Sequence, residues 1–184
     1  MAPHWLFPEA PDSFTVRTLR AFFDEDRVRK LLLPLLLQTS QISLRAIDWL
    51  CVNLSKQTNI VCADPKGHLW NIHQEYKIAL KVYQRPLFDP FRRGRRCSVH
   101  LDGKVYETTL GQCNFVAWAW TKGMLQFAEA NREAIEHAMN EFTVTHRSRL
   151  RQMRQSGQKR RRSALSRSAS SLCRIYAAPA VVSF

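Results

Sequence analysis

Apolar residues recur at helical spacing over most of the chain between residues 13 and 142. The clearest stripe consists of Leu44, Ile47, Leu50, Cys51 and Leu54, and the polar residues Arg45, Asp48, Asn53 and Lys56 lie opposite it. This spacing predicts an amphipathic helix. Similar patterns predict helices after Asp12 or Ser13, over 26–38 with a kink or restart at Pro34, over 69–83, after Thr109, and over 124–142 with a new cap at Asn131.

Residues 95–108 show a different pattern, in which apolar and polar positions alternate around Asp102-Gly103. Alternation is typical of a half-buried strand, and Asp-Gly is a preferred pair for a type I′ turn. The pattern predicts a β-hairpin, with Cys97, Val99 and Leu101 facing Val105 and Glu107.

These patterns predict a mainly α fold of the α+β class: five or six helices and one β-hairpin in residues 13–142, followed by a disordered basic C-terminal tail. An extended, proline-rich arm would precede the helical domain at 1–12. Residues 143–174 are rich in Arg and Ser and have too few apolar side chains to build a core, so we expect them to be disordered. The last segment, 175–184, is apolar again and could dock on its own chain or on a partner.

The charge of the chain is unevenly distributed. The formal net charge is +13, and residues 144–184 contain ten Lys and Arg and no Asp or Glu. Residues 1–143 hold 18 basic and 15 acidic residues, a net charge of only +3. This asymmetry indicates a polyanionic partner, either a nucleic acid or an acidic membrane surface.

Several features favour the nucleic acid over a membrane. The Leu-rich stretch Leu31–Leu37 is interrupted by Pro34 and is far shorter than a membrane-spanning helix, and no basic amphipathic helix with an aromatic face is evident. The five cysteines are odd in number and widely spaced, as in reduced intracellular proteins. We therefore expect a soluble, intracellular protein that binds no membrane.

Two sets of basic residues are candidate phosphate contacts. In the tail they are Arg147, Arg149, Arg151, Arg154, Lys159, Arg160, Arg161, Arg162 and Arg167. Arginine and lysine that neutralise phosphates release counterions, which gives affinity without sequence specificity. The alternatives for the tail are a solvated segment or a nuclear-import signal at 159–162.

The second set lies in a predicted loop and consists of Arg92, Arg93, Arg95 and Arg96. Together with Phe88 and Phe91 it resembles a phosphate clamp beside a stacking surface. The alternative is a solvated loop, or arginines paired with acidic helices.

Motifs for catalysis and for metal binding are missing from the sequence. We find no phosphate loop, no G-x-S-x-G elbow and no H-E-x-x-H helix. Cys97, His100 and Cys113 lack the paired spacing of zinc ligands, as do Cys62, His68 and His73. Cys113 lies in the first turn of an apolar predicted helix, which favours a core cysteine over a nucleophile. We expect no enzymatic activity, no metal and no cofactor.

Three short segments resemble a small basic protein that recurs in nucleocytoplasmic large DNA viruses of eukaryotes. The segments are 42–50 (ISLRAIDWL), 88–93 (FDPFRR) and 108–115 (TTLGQCNF). The resemblance implies a viral protein that acts in infected cells, in the host nucleus or virus factory, or is packaged in the virion. It supplies no catalytic residues.

The predicted function is sequence-nonspecific binding of DNA or RNA, with the tail supplying affinity and the arginine loop fixing orientation. The alternative is a structural or interaction protein of a virion core or capsid that docks through its helical body and apolar C-terminus. The sequence leaves the choice between DNA and RNA, the oligomeric state and the process served open.

Overall fold

A computed structural model of the chain describes residues 3–6, 14–94 and 96–155. Contacts within the chain divide it into two units, 1–143 and 144–184. The helices of the described part are α1 Phe14–Phe22, α2 25–36, α3 44–58, α4 Ile72–Val82, α5 Leu110–Thr121, α6 Met124–Ala130 and α7 Arg132–Gln155. Its strands are β1 His4–Leu6, β2 Val61–Ala63, β3 Leu69–Asn71, β4 Arg96–Leu101 and β5 Lys104–Thr109.

The predicted fold class is confirmed, because the described chain is mainly helical with a small antiparallel sheet. It has seven helices rather than five or six. The additional helix arises at Asn131, where the predicted new cap divides the last stretch into α6 and α7. None of the helices in the described ranges combines the length and apolar character that crossing a bilayer requires.

Helix α2 passes through Pro34 by widening one turn. Proline has no N–H to donate to the carbonyl four residues earlier, so a regular helix would break or kink there. Residues Val28–Leu32 form a π-helical turn directly before it, closed by a hydrogen bond from the Leu33 N–H to the Val28 carbonyl. The predicted disturbance at Pro34 therefore takes the form of a π turn.

Helix α3 follows the predicted stripe. The Ser43 hydroxyl accepts a hydrogen bond from the Ala46 N–H over 3.1 Å and caps its first turn. Leu44, Ile47, Leu50 and Cys51 are buried. The helix contains a second π turn at Leu50–Leu54 and is followed by Asn59 in the left-handed conformation.

Strands β4 and β5 form the predicted hairpin. Asp102 and Gly103 both have positive φ angles, 52° and 70°, as a type I′ turn requires. Cys97, Val99 and Leu101 are buried, as predicted. The predicted facing residues were wrong, however: Val99 pairs with Tyr106 and Cys97 with Thr108, whereas Val105 is 58% exposed. A two-residue turn pairs Leu101 with Lys104, so Val105 and Glu107 point to the opposite face.

The sheet has a third strand, β1, in which Trp5 pairs with Val99 and is buried. A second hairpin, formed by β2 and β3, was not predicted. Its turn uses the Asp64 carboxylate, which accepts hydrogen bonds from the N–H groups of Lys66 and His68. Leu69, predicted as the first residue of a helix, instead lies in β3 and is 76% exposed, and helix α4 begins at Ile72.

Helix α5 is the centre of the core. The Thr109 hydroxyl accepts from the Gln112 N–H and caps the helix, as the sequence predicts. The residues from Gly111 to Val116 are all buried, so α5 is covered on every side. Burial of one large apolar side chain contributes about 1.5 to 3 kcal/mol, so the buried Phe115, Val116 and Trp118 each stabilise the fold.

Helix α7 extends beyond the predicted start of the disordered tail. It continues to Gln155, so the prediction of disorder is wrong for residues 143–155. Arg, Gln, Leu and Met are good helix formers, and extending an existing helix costs much less than nucleating a new one. A segment with too few apolar side chains to build a core can still extend a helix. The rest of the predicted tail and the apolar segment 175–184 lie outside the described residues.

Candidate nucleic-acid interface

Three predicted phosphate contacts of the tail, Arg147, Arg149 and Arg151, lie on α7 with exposed side chains. Arg154 belongs to the same helix. Outside the described residues are Arg95, Lys159, Arg160, Arg161, Arg162 and Arg167.

Residues 87–90, which lead into the arginine loop, are hydrogen-bonded to the first turns of α5. The Asp89 N–H donates to the Gly111 carbonyl over 3.3 Å. The Gln112 side-chain amide donates to the Pro90 carbonyl over 3.0 Å, and the Asn114 amide to the Leu87 carbonyl over 2.8 Å. Gly111 permits this close approach, since a Cβ there would lie 3.1 Å from the Asp89 nitrogen. Buried polar side chains on α5 therefore fix the backbone that carries Arg92 and Arg93.

The structure separates the arginines of the predicted clamp. Arg92 donates to the Glu107 carbonyl over 2.5 Å. Arg93 forms two hydrogen bonds with the Asp89 carboxylate, 3.0 and 3.1 Å long, and its guanidinium lies 4.9 Å from the centre of the Phe91 ring. The two side chains line different clefts, with Phe91 on the wall of both. Arg93 is therefore ion-paired, but its partner is Asp89 of the same loop and not an acidic helix.

Phe88 was wrongly predicted as part of an exposed stacking surface. It is 2% exposed, stacks on Tyr83 with 5.2 Å between ring centres, and contacts Phe115 and Trp118. Large aromatic side chains gain most by burial, so Phe88 anchors the loop to the core. Phe91 alone of this pair remains partly exposed. Arg96 begins β4 with an exposed side chain.

We call the first of the two clefts the arginine cleft. It has a volume of about 660 Å³ and lies between the end of α2, the start of α3 and the loop. None of its described lining residues is a carboxylate. Its polar and aromatic lining consists of Gln38, Ser40, Ser43, Arg45, Phe91, Arg92 and Gln112. This lining suits an anion.

We call the second the aspartate cleft, which has a volume of about 710 Å³. The Tyr76 hydroxyl donates to Asp48 Oδ1 over 3.2 Å. Burial raises the pKa of the Asp48 carboxyl, although the bond from Tyr76 lowers it in part. Burial also raises the pKa of Tyr76, and the nearby Asp48 charge adds to that increase. Its remaining charged and polar lining consists of His73, Lys77, Arg85, Asp89 and Arg93.

Sequence reasoning missed the aspartate cleft because its residues come from three separate segments. Asp48 was placed on the polar face of α3, opposite the stripe, yet it is only partly exposed. One signal was available: Asp48 and Asp89 both lie in segments that carry the viral resemblance. The structure brings the three segments of the viral resemblance together, with the loop at 88–93 between α3 and the start of α5.

A family model matches residues 10–173. The chain belongs to DUF7197, a family of unknown function.

This DUF7197 chain also resembles a viral protein. Uncharacterized protein L507 of Acanthamoeba polyphaga mimivirus is 32% identical to it over 113 residues, which cover 56% of the chain and 44% of that protein. The chain thus spans less than half the length of this curated relative. The predicted resemblance is confirmed to the extent of a family of unknown function and a relative in a large DNA virus. No solved structure matches the chain.

The cysteines of the DUF7197 chain that fall in the described ranges are buried. Burial raises the pKa of the Cys113 thiol well above its usual range, which disfavours the thiolate that a nucleophile needs. Cys97 and His100 lie on opposite faces of β4, since Cys97 is buried with Val99 while His100 contacts His4. Among the described residues, no three His, Cys, Asp or Glu side chains are placed to hold a metal ion.

Proposed function

We propose that this chain binds nucleic acid without sequence specificity, through phosphate contacts made by its basic segment 144–184. The observation that carries the proposal is the exposure of Arg147, Arg149 and Arg151 on α7. Residues 144–184 contain no Asp or Glu, so this segment itself offers its arginines no carboxylate. Exposed cations in a segment that contains no Asp or Glu attract a polyanion.

The mechanism is electrostatic. Each phosphate that a cation neutralises releases condensed counterions, so affinity falls steeply with salt and depends little on base sequence. The helical backbone of α7 holds its arginines at a fixed rise of about 1.5 Å per residue, which reduces the side-chain and backbone ordering that binding requires. In an infected cell the chain would act where viral DNA or transcripts are found, in the host nucleus, the virus factory or the virion.

The folded unit 1–143 would contribute orientation rather than most of the affinity. Arg45 and Arg92 line a cleft whose described lining contains no carboxylate, and Gln112 holds the backbone next to Arg92 in place. Contacts of this kind position a backbone and carry no direct sequence information.

Replacement of Arg147, Arg149 and Arg151 by Gln in the full chain tests the proposal. We expect the slope of log affinity against log salt, measured with labelled duplex DNA and single-stranded RNA, to fall in magnitude by about two to three. The matched control replaces Lys56, Lys66 and Lys81, three exposed lysines of unit 1–143, by Gln, which removes the same charge. Equal slopes for the two triple variants would overturn the proposed role of α7.

The second candidate function is that of a virion core or capsid protein that docks on another protein. The exposure of Ile78 and Val82, 52% and 71%, one turn apart on α4 favours it. Failure of the full chain to bind either nucleic acid near physiological salt would make this candidate the leading one.

A further inference from the structure

We infer that the aspartate cleft binds one unstacked base of a single-stranded nucleic acid and prefers bases with an exocyclic amino group over uracil and thymine. The inference rests on the proposed function, because phosphate contacts elsewhere on the chain bring the strand to the cleft. It goes further in assigning a strand type and a base preference to the cleft, whereas the phosphate contacts of residues 144–184 remain nonspecific.

The size and walls of the cleft suit a planar ring. Its volume of about 710 Å³ lies within the range of small-ligand sites, commonly about 300 to 1,000 Å³. Val52, Leu80 and Phe91 supply apolar surface. Arg93, fixed over the Phe91 ring by its two bonds to Asp89, adds a flat guanidinium on which a base can stack.

Asp48 supplies the selectivity. Its Oδ1 accepts the Tyr76 hydroxyl, and within the described part of the chain its Oδ2 accepts no hydrogen bond. An ionised carboxylate offers only acceptors, so it recognises an N–H donor. Cytosine presents an amino group at position 4, where uracil and thymine present a carbonyl oxygen. The donor that uracil and thymine offer on this edge, N3–H, lies between two carbonyl oxygens that would face the carboxylate, which disfavours the complex.

Asp89 does not compete for this role, because both of its oxygens are held by Arg93 and its side chain is 13% exposed. Asp48 is therefore the cleft carboxylate with an oxygen that no described group occupies.

The charges around the cleft favour a nucleotide over a cationic ligand. Two carboxylates alone would attract a cation, but Lys77, Arg85 and Arg93 also line the cleft. Lys77 and Arg85 are exposed and can reach the phosphates on either side of a bound base. A cationic side chain from another protein would meet these three positive charges.

The test compares 12-nucleotide oligo(dC) with oligo(dU), two strands that differ only in the base edge at positions 3 and 4. We expect the full chain to bind oligo(dC) about tenfold more tightly at a fixed salt concentration, measured by fluorescence anisotropy. Asp48→Asn should reduce this ratio to about twofold or less, since an amide can donate to the uracil oxygen as well as accept. Asp26→Asn, which removes an exposed carboxylate from α2, should leave the ratio at the wild-type value.

A second variant tests the cleft independently, in case Asp48→Asn does not fold. Val52 is 38% exposed at the wall of the cleft, so Val52→Trp fills the cleft from the solvent side. It should abolish the preference for oligo(dC) while Asp48 stays in place. Salt-sensitive binding with equal affinity for both strands would overturn the base cleft and leave the proposed function standing. Failure of the wild type to bind either strand at low salt would overturn both.

Discussion

The hydroxyl of Tyr76 donates a hydrogen bond over 3.2 Å to Asp48 Oδ1, and this bond joins α4 to α3. Tyr76 is 8% exposed, so the pair lies at the buried base of the aspartate cleft. A carboxylate in this position is both a structural link and a recognition group. Because Asp48 links two helices, its titration changes the free energy of unfolding and can be measured without any ligand.

Asp48→Asn should change how stability depends on pH. Burial raises the pKa of Asp48 above its ordinary value of 3.8, so the folded chain holds this proton more tightly than the unfolded chain does. The contribution of Asp48 to the free energy of unfolding is therefore complete below 3.8 and is lost as the pH rises through the raised pKa. Relative to wild type, the Asp48→Asn variant should gain stability across that range in urea unfolding.

Asp26→Asn is the control for the loss of one exposed negative charge. A difference between Asp48→Asn and wild type that stays constant from pH 3.8 upward would contradict the expected titration of Asp48.

Gly123→Ala should destabilise the fold more than Gly67→Ala. Both glycines have positive φ angles, 67° and 84°. A Cβ at Gly123 would lie 2.7 Å from the Ala63 carbonyl oxygen, whereas a Cβ at Gly67 would have no atom within 4 Å. We expect a loss of about 1 kcal/mol at Gly67 from backbone conformation alone and about 2 to 3 kcal/mol at Gly123, measured by urea unfolding. Equal losses would mean that β2 can move away from Gly123 at little cost.

Asn114→Ala should loosen the arginine loop. Asn114 is 3% exposed, and its loss leaves the Leu87 carbonyl without its donor, at a cost of about 1 to 3 kcal/mol. Hydrogen exchange of the Asp89 amide, which is bonded to Gly111, should become faster. Asn131→Ala removes a bond of the same length on an exposed surface and should leave Asp89 protected. Unchanged exchange at Asp89 in Asn114→Ala would show that other contacts hold the loop.

The sequence correctly predicted features that depend on interactions between residues close together in the chain. The Asp102-Gly103 turn, the Thr109 cap and the stripe of α3 each involve neighbouring residues, and each is present in the structure. The start of α4 was misplaced because Leu69 fits a helical face by spacing, while its pairing with Ala63 in a hairpin overrides that spacing.

The site was less predictable because it depends on contacts between distant segments. Phe88 and Phe91 look alike in the sequence, but packing against Tyr83 and Trp118 buries only Phe88. Arg92 and Arg93 are adjacent, but Asp89 draws Arg93 to one side of Phe91. Neither outcome follows from charge or periodicity.

The salt dependence of binding shows whether residues 144–184 contact phosphates. Affinity of the full chain for labelled duplex DNA and single-stranded RNA would be measured across a salt series, beside a full-length variant in which the ten Lys and Arg of residues 144–184 are replaced by Gln. We expect the wild type to show a slope of several units, roughly 0.7 to 0.9 for each phosphate contacted, and the variant to lose most of it. A wild-type slope near zero, or one that the variant retains, would contradict the claim that this segment binds phosphates.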